Sequence, residues 1–247
     1  MVFDSHLHVG QFYDRYHSPK DIVSLMDNLD INCAAISSTS ICEENYDKVL
    51  NEFEILINLA GDRIFPVLWV TPNMIDYGAV NLFLNSKITW KCLKIHGKLH
   101  YGVWQPFEHY MNQAIAIAQK LAVPILLHTG AYEYVEPQYY ESMIKHYNNQ
   151  IFILAHSRPI DQTINLLKTS SNAWADVAFS PIDDIKELVN ANLTNRVLWG
   201  SDLPIISYFD RNIDMFCYYN NLLERLKDSI SDREYISITQ QNATTLF

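Results

Sequence analysis

Short apolar runs rich in Val, Ile, Phe and Trp recur along the chain, and nearly every one gives way to a polar, Gly or Pro break and then to helical spacing. This rhythm predicts strands near 1–8, 31–38, 64–71, 90–96, 123–128, 151–156, 173–180 and 197–201. Between them helical periodicity falls near 19–29, 43–60, 77–84, 108–121, 137–147, 160–168 and 181–191, followed by a longer helix near 211–227 and a closing helix over 232–247. Ser18 before Pro19 and Ser180 before Pro181 each place a capping hydroxyl ahead of a first-turn proline. Eight strands alternating with helices, without a Gly/Ser-rich linker, predict one domain over 1–247: an α/β fold closed as a (β/α)8 TIM barrel of the usual ~250 residues. An open doubly wound sheet is the alternative. No strand leads into a G-x-G-x-x-G turn, and the chain has only 7 glycines, so dinucleotide binding has no support.

With 247 residues, 49% of them apolar and 19% charged, the chain can bury a substantial core, which excludes a disordered protein. Lys and Arg number 18 against 28 Asp and Glu, a net charge of −10, which disfavours binding to nucleic acid or anionic membranes. A small molecule is the expected partner, with a homodimer as the default assembly. Cys33, Cys42, Cys92 and Cys217 show no zinc-ribbon spacing and are too sparse for a disulfide framework. The first residues carry no basic segment followed by an apolar one, and no apolar run approaches the ~18 residues of a membrane span. A reducing, cytoplasmic setting is expected.

Any one histidine is most often a surface or hydrogen-bonded residue without special chemistry. Position changes that reading here. His6 and His8 end the first strand, His96 the fourth, His128 the fifth and His156 the sixth, and Asp202 follows the eighth. Active sites of this barrel form at the C-terminal ends of the strands, where side chains from different strands converge. Residues two apart on a strand share a face, so His6 and His8 can grip one ion together.

The segments Asp4-Ser5-His6-Leu7-His8, Leu93-Lys94-Ile95-His96, Leu126-Leu127-His128-Thr129-Gly130, Leu154-Ala155-His156-Ser157 and Gly200-Ser201-Asp202-Leu203-Pro204 carry a resemblance that runs essentially end to end. They resemble the amidohydrolase superfamily, in particular the amidohydrolase-related branch that holds aminocarboxymuconate-semialdehyde decarboxylase-like enzymes and pyrone-dicarboxylate lactonases. The closing Asn242-Ala243-Thr244-Thr245-Leu246-Phe247 is similar to that branch's last helix. The resemblance implies a metal-dependent barrel with His6, His8, His128 and Asp202 as ligands and His156 just beyond, hydrogen-bonded to a metal water or a substrate oxygen. Three imidazoles and one carboxylate suit zinc best among divalent ions. Such an ion activates water and polarises a carbonyl, and Asp202 can carry the proton to the leaving group.

The expected reaction is hydrolysis of an ester, lactone or amide in a small carboxylate-bearing substrate. A nonhydrolytic decarboxylase or hydratase on the same site is the alternative, and a noncatalytic ligand-binding barrel is a third reading. TatD-type deoxyribonucleases share D-x-H-x-H and a late G-S-D but carry a glutamate on the fourth strand, where this chain has Lys94 and His96.

Lys94 and His96 share a face. Either helps hold a second metal, Lys94 as a carbamate, or the pair binds substrate; a structural ion pair is the plain reading of Lys94. Arg158 can clasp a carboxylate or pair with Asp161. Tyr132, Tyr134, Trp104 and Tyr208 are candidate pocket walls. Asp4 shares numbering parity with His6 and His8, so it orients an imidazole or lies buried below. His17, His100, His109 and His146 fall in loops or helices and receive no role, and Cys33 and Cys92 read as small buried strand residues.

Overall fold

The computed structural model describes residues 1–97, 107–130 and 135–247. Its strands are β1 (Val2–Phe12), β2 (Arg15–His17), β3 (Ile31–Ser38), β4 (Ile64–Trp69), β5 (Cys92–Ile95), β6 (Ile125–His128), β7 (Phe152–Ala155), β8 (Ala173–Asp176) and β9 (Val197–Leu198). They lie in the order β2-β1-β3-β4-β5-β6-β7-β8-β9. All neighbours are parallel except β2, which folds back on β1 as a hairpin. Closure comes from the segment after β9, which pairs with β1 through Ser5 N–H to Trp199 O, Asp202 N–H to His6 O and His8 N–H to Leu203 O, each 2.8 Å. The result is the expected (β/α)8 barrel with one hairpin added.

Each barrel strand sends at least one apolar residue into a common group inside, among them Phe3, Ala35, Val67, Cys92, Leu126, Ile153, Trp174 and Leu198. The last residues plug its lower end, with Phe247 stacked on Phe3 at 5.6 Å between ring centres. Asn242 anchors the plug by donating to the carbonyls of Thr194 and Val197, each at 2.7 Å. This layer is the dry floor on which the polar residues at the strand ends stand.

Two elements depart from the sequence reading. The expected first strand runs on through Phe12 into the β1–β2 hairpin, whose turn holds Tyr13 at φ 51. The helix expected near 77–84 is two short helices, Pro72–Asp76 and Val80–Leu84, separated at Gly78 with φ +68. Thr71-Pro72 supplies the earlier start, with the Thr71 hydroxyl accepting from Met74 N–H, the same device as Ser18-Pro19. Among the described residues no helix is long and apolar enough to cross a membrane.

Gly200 sits where the barrel closes, and a Cβ there would meet the Asp176 carboxylate and lie 2.7 Å from His6 Cβ. Gly200→Ala is therefore expected to lose about 1–3 kcal/mol by overpacking. Urea unfolding measures this; an unchanged midpoint and slope would contradict the packing.

Candidate metal centre and binding cavity

The pairing of β1 with β3 shifts register between Asp4 and Leu7. Such a bulge re-aims side chains beside active sites. Phe3 faces the barrel interior with odd numbering, and after the bulge the even-numbered His6 and His8 face it instead. Asp4 is left on the other side of the shift, and its Oδ1 accepts from the backbone N–H of His6 (3.0 Å) and Ser201 (3.1 Å). It orients no imidazole. It ties β1 to the closing segment, and burial pushes its carboxyl up to about 7.

The acid that orients His6 is Asp176, at the end of β8, which the sequence reading did not single out. Its Oδ1 lies 3.2 Å from His6 Nδ1, and the carboxylate also accepts from Ser5 Oγ and from the N–H groups of His156 and Ala178. Burial alone would raise its pKa, but His6 and these donors hold it below the ordinary carboxylate value. An ionised carboxylate only accepts, so His6 Nδ1 donates and, in a neutral ring, Nε2 keeps its lone pair. His156 is fixed the same way. Its Nδ1 donates to the Ala178 carbonyl at 3.0 Å, which leaves Nε2 bare. By strand parity His156 would point away from the interior, since Ile153 and Ala155 point in; φ values of 69 at His156 and 49 at Ser157 turn the chain and bring the ring back.

Asp202 also adopts a left-handed backbone, with φ 59. Its Oδ1 is 2.8 Å from His8 Nε2 and 3.2 Å from His6 Nε2. Burial opposes its charge, but His6 and the bond from His8 outweigh it and hold the carboxyl well below the usual range. Ligand atoms of His6, His156 and Asp202 all lie within 4.8 Å of one another. Two bare imidazole nitrogens and a carboxylate cannot face each other without a cation or a proton between them. The donor set and its fixed far sides therefore fit a divalent ion.

His8 belongs to the same cluster through Asp202, with its Nδ1 3.0 Å from Ser37 Oγ. Burial lowers His8 to about 3 and His156 to about 4, so both are neutral near pH 7. His128 lies on the opposite flank, stacked on His96 at 3.8 Å and edge-on to His156 at 4.9 Å, and it stands outside the tight group. Burial, then His96, lowers His128 well below its ordinary value. His96 also stacks on Trp69. Lys94 is 2% exposed, and its Nζ stands 2.9 Å from His6 Nε2, 3.3 Å from His8 Nε2 and 4.7 Å from the Trp69 ring centre. Burial lowers it to about 8 against the pull of Asp202 and Asp176.

These groups open on a cavity of about 570 Å³, a small-molecule volume. Arg158 lines it, and among the described residues its Nε is buried without a hydrogen-bond partner. The acids whose charges reach it are Asp202 and Asp184. Tyr208 forms part of the mouth, stacked on Tyr13 at 4.8 Å and edge-on to Phe12 at 5.1 Å, so the β1–β2 hairpin supplies the wall beside it. Tyr132, Tyr134, Trp104 and His100 lie outside the described residues. His17 is in β2, His109 meets Gln113, and His146 packs on Tyr147, all away from this cavity. One signal for Asp176 was present: a lone charge inside the apolar run Ala173-Trp174-Ala175-Asp176-Val177-Ala178. Nothing in the spacing marked Trp69 or Ser37.

A family model described as amidohydrolase matches residues 91–247, more than half of the chain. Among solved structures, a probable 2-pyrone-4,6-dicarboxylic acid hydrolase from Acinetobacter baumannii, with citric acid bound, is 17% identical with a TM-score of 0.69, covering 99% of this chain and 98% of that one. An uncharacterised TIM-barrel protein from Bordetella bronchiseptica is 12% identical with a TM-score of 0.74, covering 99% and 97%. A 4-oxalomesaconate hydratase from Rhodopseudomonas palustris is 11% identical with a TM-score of 0.66, covering 100% and 95%. At these identities the likeness concerns the fold. No curated protein matches the sequence.

His8 and His156, at about 3 and about 4 in the fold, compare with 6.5 for a free imidazole. As pH falls below 6.5 the unfolded chain takes up protons that the native protein does not, so stability is complete above that value and declines below it. His128 acts in the same sense, and Asp4, whose raised carboxyl takes up a proton in the fold over this range, offsets one of the three, which leaves a slope approaching ~2.7 kcal/mol per pH unit between pH 6 and 4. Asp176 and Asp202 add to the loss only below their unfolded values, near pH 4. Urea unfolding of chelator-treated protein from pH 7 to 4.5 reads this decline, and a flat profile is incompatible with neutral buried imidazoles.

Proposed function

Because the chain belongs to the amidohydrolase family, we propose that it is a metal-dependent hydrolase that opens an ester, lactone or amide bond in a small carboxylate-bearing molecule. One observation carries this reading: the convergence of His6, His156 and Asp202 within 4.8 Å, at a cavity that Arg158 also lines, its Nε without a hydrogen-bond partner among the described residues. His6, His8 and Asp202 would hold the ion, completed by His156 from the tight group or by His128 from the flank; zinc is the first choice for such a donor set. A bound divalent ion would supply Lewis acidity, making water a nucleophile near neutral pH and polarising a carbonyl.

The chain's own groups account for the remaining requirements. Asp202, ionised, takes the proton from the attacking water as the new carbon–oxygen bond forms, and returns it to the oxygen or nitrogen that leaves. His156, its ring fixed by Ala178 O, stands at the cavity to meet the substrate oxygen. Arg158 offers Nε and the rest of its fork to a carboxylate and orients the substrate. Phe12 and Tyr208 line the mouth and keep water from the apolar end. A dicarboxylic acid is the substrate class named for the Acinetobacter baumannii protein, which agrees with this charge pattern.

A second reading has a specific observation in its favour. Two cations, Lys94 and Arg158, line one cavity, which suits a substrate with two carboxylates and so also a decarboxylase or hydratase. Released CO2, or addition of water without bond cleavage, separates these from hydrolysis.

Turnover of a panel of lactones and carboxylate esters is expected to fall at least 10³-fold on complete chelation and to return with Zn²⁺. Asp202→Asn is expected to lose a similar factor in kcat with the fold intact by circular dichroism. Activity that survives metal removal sinks the proposal. Arg158→Met is expected to raise KM about tenfold or more for carboxylate substrates and to leave neutral analogues unchanged, a difference that steady-state kinetics resolves.

A further inference from the structure

Lys94 is placed where a metal ion would have to act. Its Nζ is 2.9 Å from His6 Nε2 and 3.3 Å from His8 Nε2, and an ammonium has only hydrogens to offer. An imidazole nitrogen has one lone pair. While His6 Nε2 accepts a hydrogen from Lys94 it cannot bind an ion, and His6 Nδ1, committed to Asp176, supplies no second site. We propose that the Lys94 ammonium is an internal competitor of the metal ion, holding the His6 nitrogen that the ion needs until the ion displaces it.

This inference rests on the metal-dependent reading above and concerns affinity and stoichiometry within it. The ammonium offsets part of the negative charge that Asp202 and Asp176 bring to a buried cluster. Its Nζ already stands over the Trp69 ring, 4.7 Å from the ring centre, and this cation–π contact on the cavity side retains the ammonium when the ion takes the His6 nitrogen. Displaced but still charged, Lys94 repels an ion held a few ångströms away, which weakens the first site and disfavours a second ion beside it. A carbamylated Lys94 would do the reverse, adding negative oxygens as ligands and recruiting a second metal. The two arrangements predict opposite effects of removing the side chain.

The test is isothermal titration of the chelated full-length protein with Zn²⁺, and with Co²⁺ followed by visible absorption, for wild type, Lys94→Met and Lys94→Gln, with and without bicarbonate. Met preserves the length and apolar stem, Gln the polarity, and circular dichroism shows that each variant folds. Wild type is expected to bind one ion, both variants to bind at least tenfold more tightly, and bicarbonate to change nothing. Equal or weaker binding by the variants overturns the inference while leaving the metal-dependent reading intact. Wild-type binding of two ions that bicarbonate strengthens and the variants lose makes Lys94 a ligand and likewise overturns it. Absence of binding by all three proteins overturns both readings.

Discussion

The site depends on a shortage of protons among its acceptors. His6 and His156 each spend one ring nitrogen on a fixed acceptor, Asp176 in one case and the Ala178 carbonyl in the other, and turn the second nitrogen toward the Asp202 carboxylate. Lone pairs and a negative charge brought this close in a dry interior repel one another unless positive charge stands among them. The Lys94 ammonium supplies part of it, and a divalent ion is the stronger answer. On the metal-dependent reading proposed above, metal affinity follows from how that deficit is met.

Holding such a cluster together requires departures from regular strand geometry. The bulge in β1 changes which residues face inward, and left-handed backbone at His156, Ser157 and Asp202 re-aims side chains that strand parity alone would misplace. Conformations of this kind cost of order 1–3 kcal/mol each and persist where the surroundings over-determine them. Here those surroundings are the apolar group beneath, the Asp176 hub with its several donors, and the close approach at Gly200 that leaves room for no Cβ.

Charge is distributed in a way that bears on substrate choice. A chain with a net charge of −10 concentrates Lys94 and Arg158 in one cavity, walled by Trp69, Phe12 and Tyr208. On the reading proposed above, an anion entering it leaves a repulsive outer surface for an interior where two cations offset the Asp202 carboxylate and a guanidinium contact is worth more than in water.

Much of this was legible in the chain. The alternation of apolar runs with helical spacing determined the barrel, because strand and helix periods of 2 and 3.6 leave different marks on sequence. The rim positions of His6, His8, Lys94, His128, His156 and Asp202 followed from that rhythm, since this fold places strand ends together. Tertiary structure alone decided the rest: that Asp176 and not Asp4 steadies an imidazole, that His156 stands in the tight group while His128 stacks on His96, and that the Lys94 ammonium meets the His6 and His8 nitrogens. The physical reason is local. Periodicity reports which face a residue takes on an ideal strand, whereas a one-residue bulge or a single positive φ reverses that face without leaving a trace in composition or spacing.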